Sequence, residues 1–176
     1  MSATRESHAA MAAVVTASNV LVQYAINDWL TWGAFTYPVA FLVTDLTNRR
    51  LGPSSARRVV YTGFALAVVL SAALATPRIA AASGTAFLVA QLLDVAVFDR
   101  LRQRVWWLPP LVSSLLGSVV DTVLFFAIAF AGTGLPWVTW AIGDFAVKVA
   151  MAGVLLLPFR GLLRLTAPIS TAGRPS

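Results

Sequence analysis

Residues 108–132 read LPPLVSSLLGSVVDTVLFFAIAFAG, and Asp121 is the one charged side chain among them. An apolar stretch of this length is long enough to cross the hydrocarbon core of a bilayer as an α-helix. The composition of the 176-residue chain agrees, since 59% of it is hydrophobic and 11% is charged. A single soluble core of this size could not bury so much apolar surface. The sequence therefore predicts a polytopic membrane protein of the all-α class.

Charged residues, glycines and prolines divide the chain into six predicted spans and their connections. The spans cover residues 9–27, 32–46, 59–76, 83–99, 109–131 and 137–158. Together they make one predicted six-helix transmembrane domain, residues 1–165, followed by a polar tail at 166–176 that we expect to be disordered. Span 2 is short and has Pro38 in its middle, which is typical of a discontinuous helix whose freed backbone groups face a cavity.

The positions of the basic residues predict the orientation of the spans. Of the 13 Lys and Arg residues, 11 fall in the two tails and in alternate connections, whereas the opposite connections contain only Arg78. The 11 residues are Arg5, Arg49, Arg50, Arg57, Arg58, Arg100, Arg102, Arg104, Arg160, Arg164 and Arg174. Cytoplasmic connections carry the excess of positive charge in membrane proteins. We therefore expect cytoplasmic N and C termini, a multi-pass protein of the inner (cytoplasmic) membrane, and no nucleic-acid partner.

The residue types argue against an enzyme and against a metal centre. Cysteine is absent, and the single histidine, His8, precedes the first span. The sequence contains no P-loop, no H-E-x-x-H motif and no clustered metal ligands. We therefore expect no catalytic residues and no cofactor. The expected partners are a small-molecule substrate and the lipid bilayer.

Apart from Asp99, the last residue of span 4, five charged side chains lie inside the predicted spans, where charge is costly and usually functional. They are Asp45, Asp94, Asp121, Asp144 and Lys148. Asp144 and Lys148 are spaced i,i+4 on span 6, so they form either an internal ion pair or a pair that a polar ligand opens. Asp121 lies near the middle of span 5, which offers no basic partner, and this favours a functional role.

Gln91 and Asp94 share one face of span 4, where they offer donors and acceptors to the edge of a nucleobase. For Asp45 and Asp94, a salt bridge is the structural alternative to ligand binding. Asp45 could pair with Arg49 at i+4, and Asp94 could pair with an arginine at the cytoplasmic end.

A further amide and several aromatic residues accompany these charges. Asn19 lies at mid-depth in span 1, where hydrogen bonding to another helix is the alternative to ligand binding. Phe35 and Tyr37 lie beside the break in span 2, and Trp140 lies on the face of span 6 that carries Asp144, so each could stack on a flat ligand. Carboxylates, amides and aromatic rings together favour a small planar ligand rich in hydrogen-bonding groups.

Four motifs, in this order, resemble the queuosine-precursor transporter family, also called the vitamin-uptake-transporter family. They are the F-x-x-T-D-L run containing Asp45, the Q-x-x-D pair Gln91/Asp94, the D-T pair Asp121/Thr122 and the D-x-x-x-K pair Asp144/Lys148. The similar segments are residues 31–60, 90–103, 106–130 and 143–163, together with Ser18-Asn19. Ser118 departs from the family pattern, in which Asn stands in a G-N-x-x-D run.

The resemblance implies an inner-membrane importer of 7-deazaguanine bases (7-cyano-7-deazaguanine, 7-aminomethyl-7-deazaguanine or queuine), salvaged for the queuosine modification of transfer RNA. Such a base presents N1–H and a 2-amino group, an O6 acceptor and two aromatic faces. The expected contacts are Asp121 or Asp94 for the N1–H and 2-amino edge, Gln91, Asn19 or Lys148 for O6, and Phe35, Tyr37 or Trp140 for stacking. The candidate substrate-binding residues are Asn19, Phe35, Tyr37, Asp45, Gln91, Asp94, Asp121, Trp140, Asp144 and Lys148.

The alternative function is that of a substrate-binding subunit of an energy-coupling-factor vitamin transporter. Such a subunit has six helices and requires a partner ATPase module. Ala9, Ala13 and Ala17 form a ridge of small residues on span 1 that this docking could use, and internal helix packing also explains the ridge.

Overall fold

The computed structural model describes residues 2–21, 24–27, 30–74 and 76–165. Its helices are α1 (Ser2–Leu21), α2 (Gly33–Thr36), α3 (Val39–Leu51), α4 (Pro53–Leu74), α5 (Pro77–Leu101), α6 (Leu108–Phe130), α7 (Trp137–Val154) and α8 (Leu156–Leu165). Two short strands, β1 (Ala25–Asn27) and β2 (Leu30–Thr31), pair antiparallel between α1 and α2. Helices make up nearly all of the described chain, which confirms the predicted all-α class. The tail predicted at residues 166–176 lies outside the described residues.

Four helical segments of the described chain are long and apolar enough to cross a membrane. They are Pro53–Leu74, Pro77–Leu101, Leu108–Phe130 and Trp137–Arg164, the last of which joins α7 and α8. Large apolar side chains remain exposed on these segments, including Val69 at 65%, Val123 at 58% and Leu157 at 76%. Lipid is the solvent that accommodates such a surface, because it is as apolar as the side chains. These segments agree with the predicted multi-pass membrane protein.

Several helices extend beyond the predicted membrane segments. The helices α4 and α5 begin at Pro53 and Pro77, whereas the corresponding spans were predicted to begin at residues 59 and 83. Proline is favoured in the first turn of a helix, where its missing N–H leaves no hydrogen bond unmade. Thr76 also caps α5, because its side chain accepts a hydrogen bond from the Ile79 N–H at 3.4 Å.

The first predicted span differs from the structure at both ends. Residues 9–27 were predicted as a helix, but α1 covers Ser2–Leu21 and Ala25–Asn27 forms β1. The polar residues at the start of α1 interrupt its apolar character without breaking the helix, because alanine-rich sequence has high helix propensity. The prediction from apolar composition therefore placed both ends of this helix too far toward the C-terminus.

The predicted break in span 2 is present. Helix α2 ends at Thr36, Tyr37 and Pro38 form a turn, and α3 begins at Val39. Proline has no N–H to donate to the preceding turn, and its ring clashes with that turn. Helix α3 then continues past the predicted boundary at residue 46 and ends before Gly52, whose φ of 86° suits glycine.

The two ends of the helix bundle differ in charge. At one end, Arg49 donates to the Arg102 carbonyl at 2.5 Å, and the Arg160 guanidinium lies 4.7 Å from the centroid of the Trp106 ring. The connections α3–α4 and α5–α6 therefore meet α8 at what we call the arginine-rich end. At the opposite end, Arg78 donates to two carbonyl groups near the C-terminus of α6. Basic side chains from alternate connections therefore lie at one end of the bundle, and Arg78 lies at the other.

Gly117 permits the close packing of α6 against its neighbours. A Cβ added at Gly117 would lie 2.6 Å from Phe41 Cε1 and 3.3 Å from the Ala90 carbonyl oxygen. Phe41 on α3 and the backbone of α5 therefore both approach the α6 backbone here. Small residues allow this approach in membrane helix bundles.

We expect Gly117→Ala to destabilise the protein by about 1–3 kcal/mol, because Phe41 and α5 must move to admit the methyl group. SDS-induced unfolding followed by tryptophan fluorescence measures the change. Gly143→Ala is the matched control, since a Cβ at this other helical glycine meets no atom within 4 Å. Alanine there should be neutral or stabilising by up to about 1 kcal/mol. Equal stabilities of the two variants would contradict the close approach at Gly117.

Candidate functional site

Four small or polar residues of α6 face the interior of the bundle. Ser114, Gly117, Ser118 and Asp121 follow the i, i+3, i+4, i+7 spacing that places side chains on one helical face. All four are buried. This face carries Asp121 toward α7 and toward the break between α2 and α3.

The first polar site is the Lys148 cluster, which comprises Tyr37, Asp121, Thr122, Asp144 and Lys148. Lys148 Nζ lies 2.7 Å from Asp121 Oδ2 and 2.5 Å from Asp144 Oδ2. It also donates to Thr122 Oγ1 at 3.0 Å, and the Thr122 hydroxyl donates to Asp144 Oδ2 at 2.8 Å. The predicted Asp144–Lys148 ion pair is thus confirmed. Asp121, which has no basic partner on its own helix, shares the same ammonium.

Tyr37 connects the Lys148 cluster to the break in span 2. Its hydroxyl donates to Asp121 Oδ1 at 2.8 Å, and Lys148 Nζ lies 5.5 Å from the centroid of its ring. The ring also packs edge-on against Phe41 and Phe87. Tyr37 was expected to stack on a ligand. In the structure its hydroxyl orients the carboxylate that binds Lys148.

The second polar site is the Asp45–Asp94 pair, in which α3 and α5 each contribute one residue. Asp45 is 1% exposed and Asp94 is 0% exposed, and side-chain hydrogen bonds that join α3 to α5 flank the two residues. Ser113 donates to Asp45 Oδ1 at 3.2 Å, and Ser114 donates to Asp45 Oδ2 at 3.3 Å. Among the described residues, neither carboxyl oxygen of Asp94 has a hydrogen-bond partner. The pair is therefore a buried anionic site with few donors.

The two salt bridges considered for these aspartates do not form within the described chain. Arg49 donates to the backbone carbonyl of Arg102 and not to Asp45. Arg102 pairs with Asp99 at 3.1 Å and not with Asp94. Both arginines thus serve the arginine-rich end, where α3 and α5 meet. Asp45 and Asp94 lie deeper in the bundle.

Gln91 belongs to the surroundings of the Asp45–Asp94 pair. Its Oε1 accepts a hydrogen bond from Thr44 Oγ1 at 2.6 Å, and its Nε2 has no partner in the part of the chain that is described. Sequence reasoning missed the roles of Thr44 and Ser113. The signal for Thr44 was its place beside Asp45 in the F-x-x-T-D-L run, whereas no local pattern points to Ser113.

A narrow groove, the Asp45–Lys148 groove, connects the two polar sites. Its polar lining comes from Asp45, Ser114, Ser118 and Lys148, and its lining also includes the apolar residues Pro38, Phe41, Leu42, Pro110, Ala152, Leu155, Leu156 and Phe159. The cavity volume between these residues is only about 20 Å³. This is room for about one water molecule. A purine-sized ligand therefore requires the surrounding helices to separate.

Three of the predicted ligand contacts lie elsewhere in the structure. Asn19 accepts a hydrogen bond from Ser71 at 3.3 Å, between α1 and α4. Phe35 is 37% exposed on α2, and the Trp140 ring packs edge-on against Phe130. The groove lining described above includes none of the three. Spacing along one helix could not show which neighbour each of these side chains would meet.

The two sites and the groove offer hydrogen bonding and charge rather than bond-making chemistry. In the described ranges, no three histidine, cysteine, aspartate or glutamate side chains converge to hold a metal ion. Asp45 can accept hydrogen bonds in the groove, and Lys148 can donate them. This arrangement suits the recognition of a polar ligand.

Comparison with known proteins gives the family. A family model described as "Putative vitamin uptake transporter" matches residues 31–163, well over half of the chain. The chain belongs to this family. The match begins just before the broken helix α2–α3 and ends in α8, so it contains both polar sites of this transporter.

Three named relatives of this transporter come from bacteria. The "Queuosine precursor transporter" of Escherichia coli (strain K12) is 38% identical over 85% of this chain and 81% of its own length. A "Probable queuosine precursor transporter" of Haemophilus influenzae is 33% identical over the same shares. Another of that name, from Bacillus subtilis (strain 168), is 30% identical over 73% of this chain and 69% of its own length. No solved structure matches the chain significantly.

We expect Lys148→Met to destabilise the transporter by about 3–5 kcal/mol, because it leaves the buried Asp121 and the half-buried Asp144 without their ammonium. Methionine keeps most of the side-chain volume, so the loss reports charge. SDS-induced unfolding of the purified protein measures it. Arg104→Met is the control, since Arg104 is exposed and its replacement should change stability by less than about 0.5 kcal/mol. Similar losses in the two variants would contradict the ion-paired role of Lys148.

Proposed function

We propose that the protein imports queuosine precursors, 7-deazaguanine bases such as 7-cyano-7-deazaguanine, across the cytoplasmic membrane for salvage toward modified transfer RNA. Family membership supports a transporter, and three relatives named queuosine precursor transporters support this substrate class. All three relatives are named as transporters, so transport without chemical conversion is the activity proposed.

The observation that carries the proposal is a carboxylate and an ammonium that line one groove. Asp45 can accept hydrogen bonds from N1–H and the 2-amino group of the base, and Lys148 can donate to O6. Phe41 and Phe159 supply apolar surface for the aromatic faces. This assignment revises the expected contacts, because Asp45 lines the groove and Asp121 is occupied by Lys148 and Tyr37.

The Lys148 cluster also provides a route for ligand exchange. The Asp144 side chain is 21% exposed, whereas the Asp121 side chain is 7% exposed. Asp144 can therefore leave Lys148 and find water more easily than Asp121 can. In this proposal O6 of the base takes the place of Asp144, so the ammonium keeps a partner throughout. An unpaired buried charge, which would be costly, is avoided.

We further propose a single domain, residues 1–165, that crosses the membrane six times with both termini in the cytoplasm. Helix α1 runs parallel to α4, since Met11 packs against Gly63 and Ser71 bonds Asn19 further along both helices. The start of α1 and the end of α8 therefore both lie at the arginine-rich end. The positive-inside rule assigns this end to the cytoplasm.

A second candidate function is that of a substrate-binding subunit of an energy-coupling-factor transporter. Ala9, Ala13 and Ala17, for which internal packing was one explanation, are all exposed on α1. A ridge of small residues on an exposed face allows another helix to approach closely. A membrane-embedded partner could therefore dock on α1.

We expect proteoliposomes that contain this protein alone to take up 7-cyano-7-deazaguanine. Asp45→Asn should lower uptake at least about tenfold, because hydrogen bonds to a charged acceptor contribute about 1.5–3 kcal/mol. Asp99→Asn is the matched control: Asp99 has a 43% exposed side chain at the arginine-rich end, and the variant should keep the wild-type rate. Uptake of labelled base into the vesicles measures both.

The outcomes separate the candidates. Uptake that appears only after ATPase subunits are added would favour the second candidate. A binding panel of the purified protein with the three deazaguanines, guanine and riboflavin tests the substrate class. Binding of riboflavin without any deazaguanine would contradict the proposed substrate.

A further inference from the structure

The Asp45–Asp94 pair brings two carboxyl groups together without a cation. Asp94 is fully buried, and neither of its carboxyl oxygens has a described hydrogen-bond partner. Ser113 lies beside both residues, but its one hydroxyl proton is directed to Asp45 Oδ1. Two ionised carboxylates in contact repel each other, and burial also removes their hydration. The pair therefore requires a compensating positive charge.

The basic side chains around the pair are engaged elsewhere. Lys148 shares the groove with Asp45, but its ammonium is bound by Asp121 and Asp144. Arg49 and Arg102 are directed to backbone carbonyls and to Asp99. Of the other titratable groups on helices packed against the pair, Arg57, Arg58 and Tyr61 on α4 and Arg160 on α8 are exposed. On α1, Arg5 and Glu6 are exposed and His8 is half-buried near the start of the helix.

The charge balance of the interior leads to the same requirement. Four membrane-embedded carboxyl groups, those of Asp45, Asp94, Asp121 and Asp144, accompany the single ammonium of Lys148 in the described helices. The Lys148 cluster already has one carboxylate in excess. It therefore has no positive charge to share with the Asp45–Asp94 pair.

We propose that the Asp45–Asp94 pair binds one proton, and that the pair keeps this proton when the base binds to Asp45. A proton needs only two oxygen atoms, since the O–H of one carboxyl group donates to the other. A metal ion such as Ca²⁺ takes six to eight oxygen ligands, and this site offers only two serine hydroxyls besides the carboxyl groups. The inference rests on the proposed function for the identity of the base, but the proton site itself does not.

The proton also fixes the form in which Asp45 meets the base. The base bonds to ionised Asp45 in the groove, and the adjacent Asp94 must then be neutral, because two such neighbours cannot both ionise. The proton therefore resides on Asp94 while the base is bound, and no covalent bond is made or broken in the base.

Infrared spectroscopy of the purified protein without any ligand tests the proton site. The wild-type protein at neutral pH should show the C=O stretch of a protonated carboxylic acid, and Asp94→Asn should lose it. The variant should stay folded, because the asparagine amide can donate to Asp45 without a proton. Asp45→Asn provides a second route to the same loss, and Asp99→Asn should keep the band. A missing band in the wild type, or a band that persists in both pair variants, would overturn the proposal.

Exchange of labelled for unlabelled base across proteoliposomes tests the neutral form of Asp94. Asp94→Asn should keep the exchange, because an amide is neutral as the protonated Asp94 is. Loss of exchange in this variant, with its fold retained, would overturn the assignment of the proton to Asp94. An infrared band without uptake of any deazaguanine would refute the proposed substrate and leave the proton site standing.

Discussion

The ion pairing of the Lys148 ammonium, which is buried within the helix bundle, is the interaction on which the rest of the interior depends. A charge in this position is costly unless it is paired and hydrogen-bonded. Asp121 from α6 and Asp144 from its own helix provide the pairing, and Thr122 provides a further acceptor. The break at Pro38 places Tyr37 where its hydroxyl donates to Asp121. The ion pair thus fixes the contact of α6 with α7 and the geometry of the broken helix.

The Asp45–Lys148 groove is narrow in this conformation and has room for about one water molecule. A transporter that binds a larger ligand in this groove must widen it by moving the surrounding helices. The groove is bordered by Lys148, whose carboxylate partners can be exchanged. It is also bordered by Asp45, whose neighbour Asp94 has no hydrogen-bond partner among the described residues. Binding at these two residues therefore alters the charge balance of both polar sites at once. This connection gives substrate binding a physical means to drive helix movement.

The sequence predicted the membrane class, the break at Pro38 and the Asp144–Lys148 pair, because each depends on local composition or on spacing within one helix. It did not predict that Asp121 shares Lys148, because that contact joins residues 27 apart on different helices. For the same reason it assigned Asn19, Phe35 and Trp140 to a central site, whereas α1, α2 and the start of α7 hold them elsewhere. Local spacing shows which face a side chain occupies, but only the packing of the helices shows what that face meets.

The central claim is that one base binds between Asp45 and Lys148. An experimental structure of the protein with bound 7-cyano-7-deazaguanine tests it most directly. We expect the N1–H and 2-amino edge within hydrogen-bonding distance of the Asp45 carboxylate, O6 beside Lys148 Nζ, and Asp144 displaced from the ammonium. A base bound away from the groove, for example between Phe35 and Trp140, with the Lys148 cluster unchanged, would contradict the account.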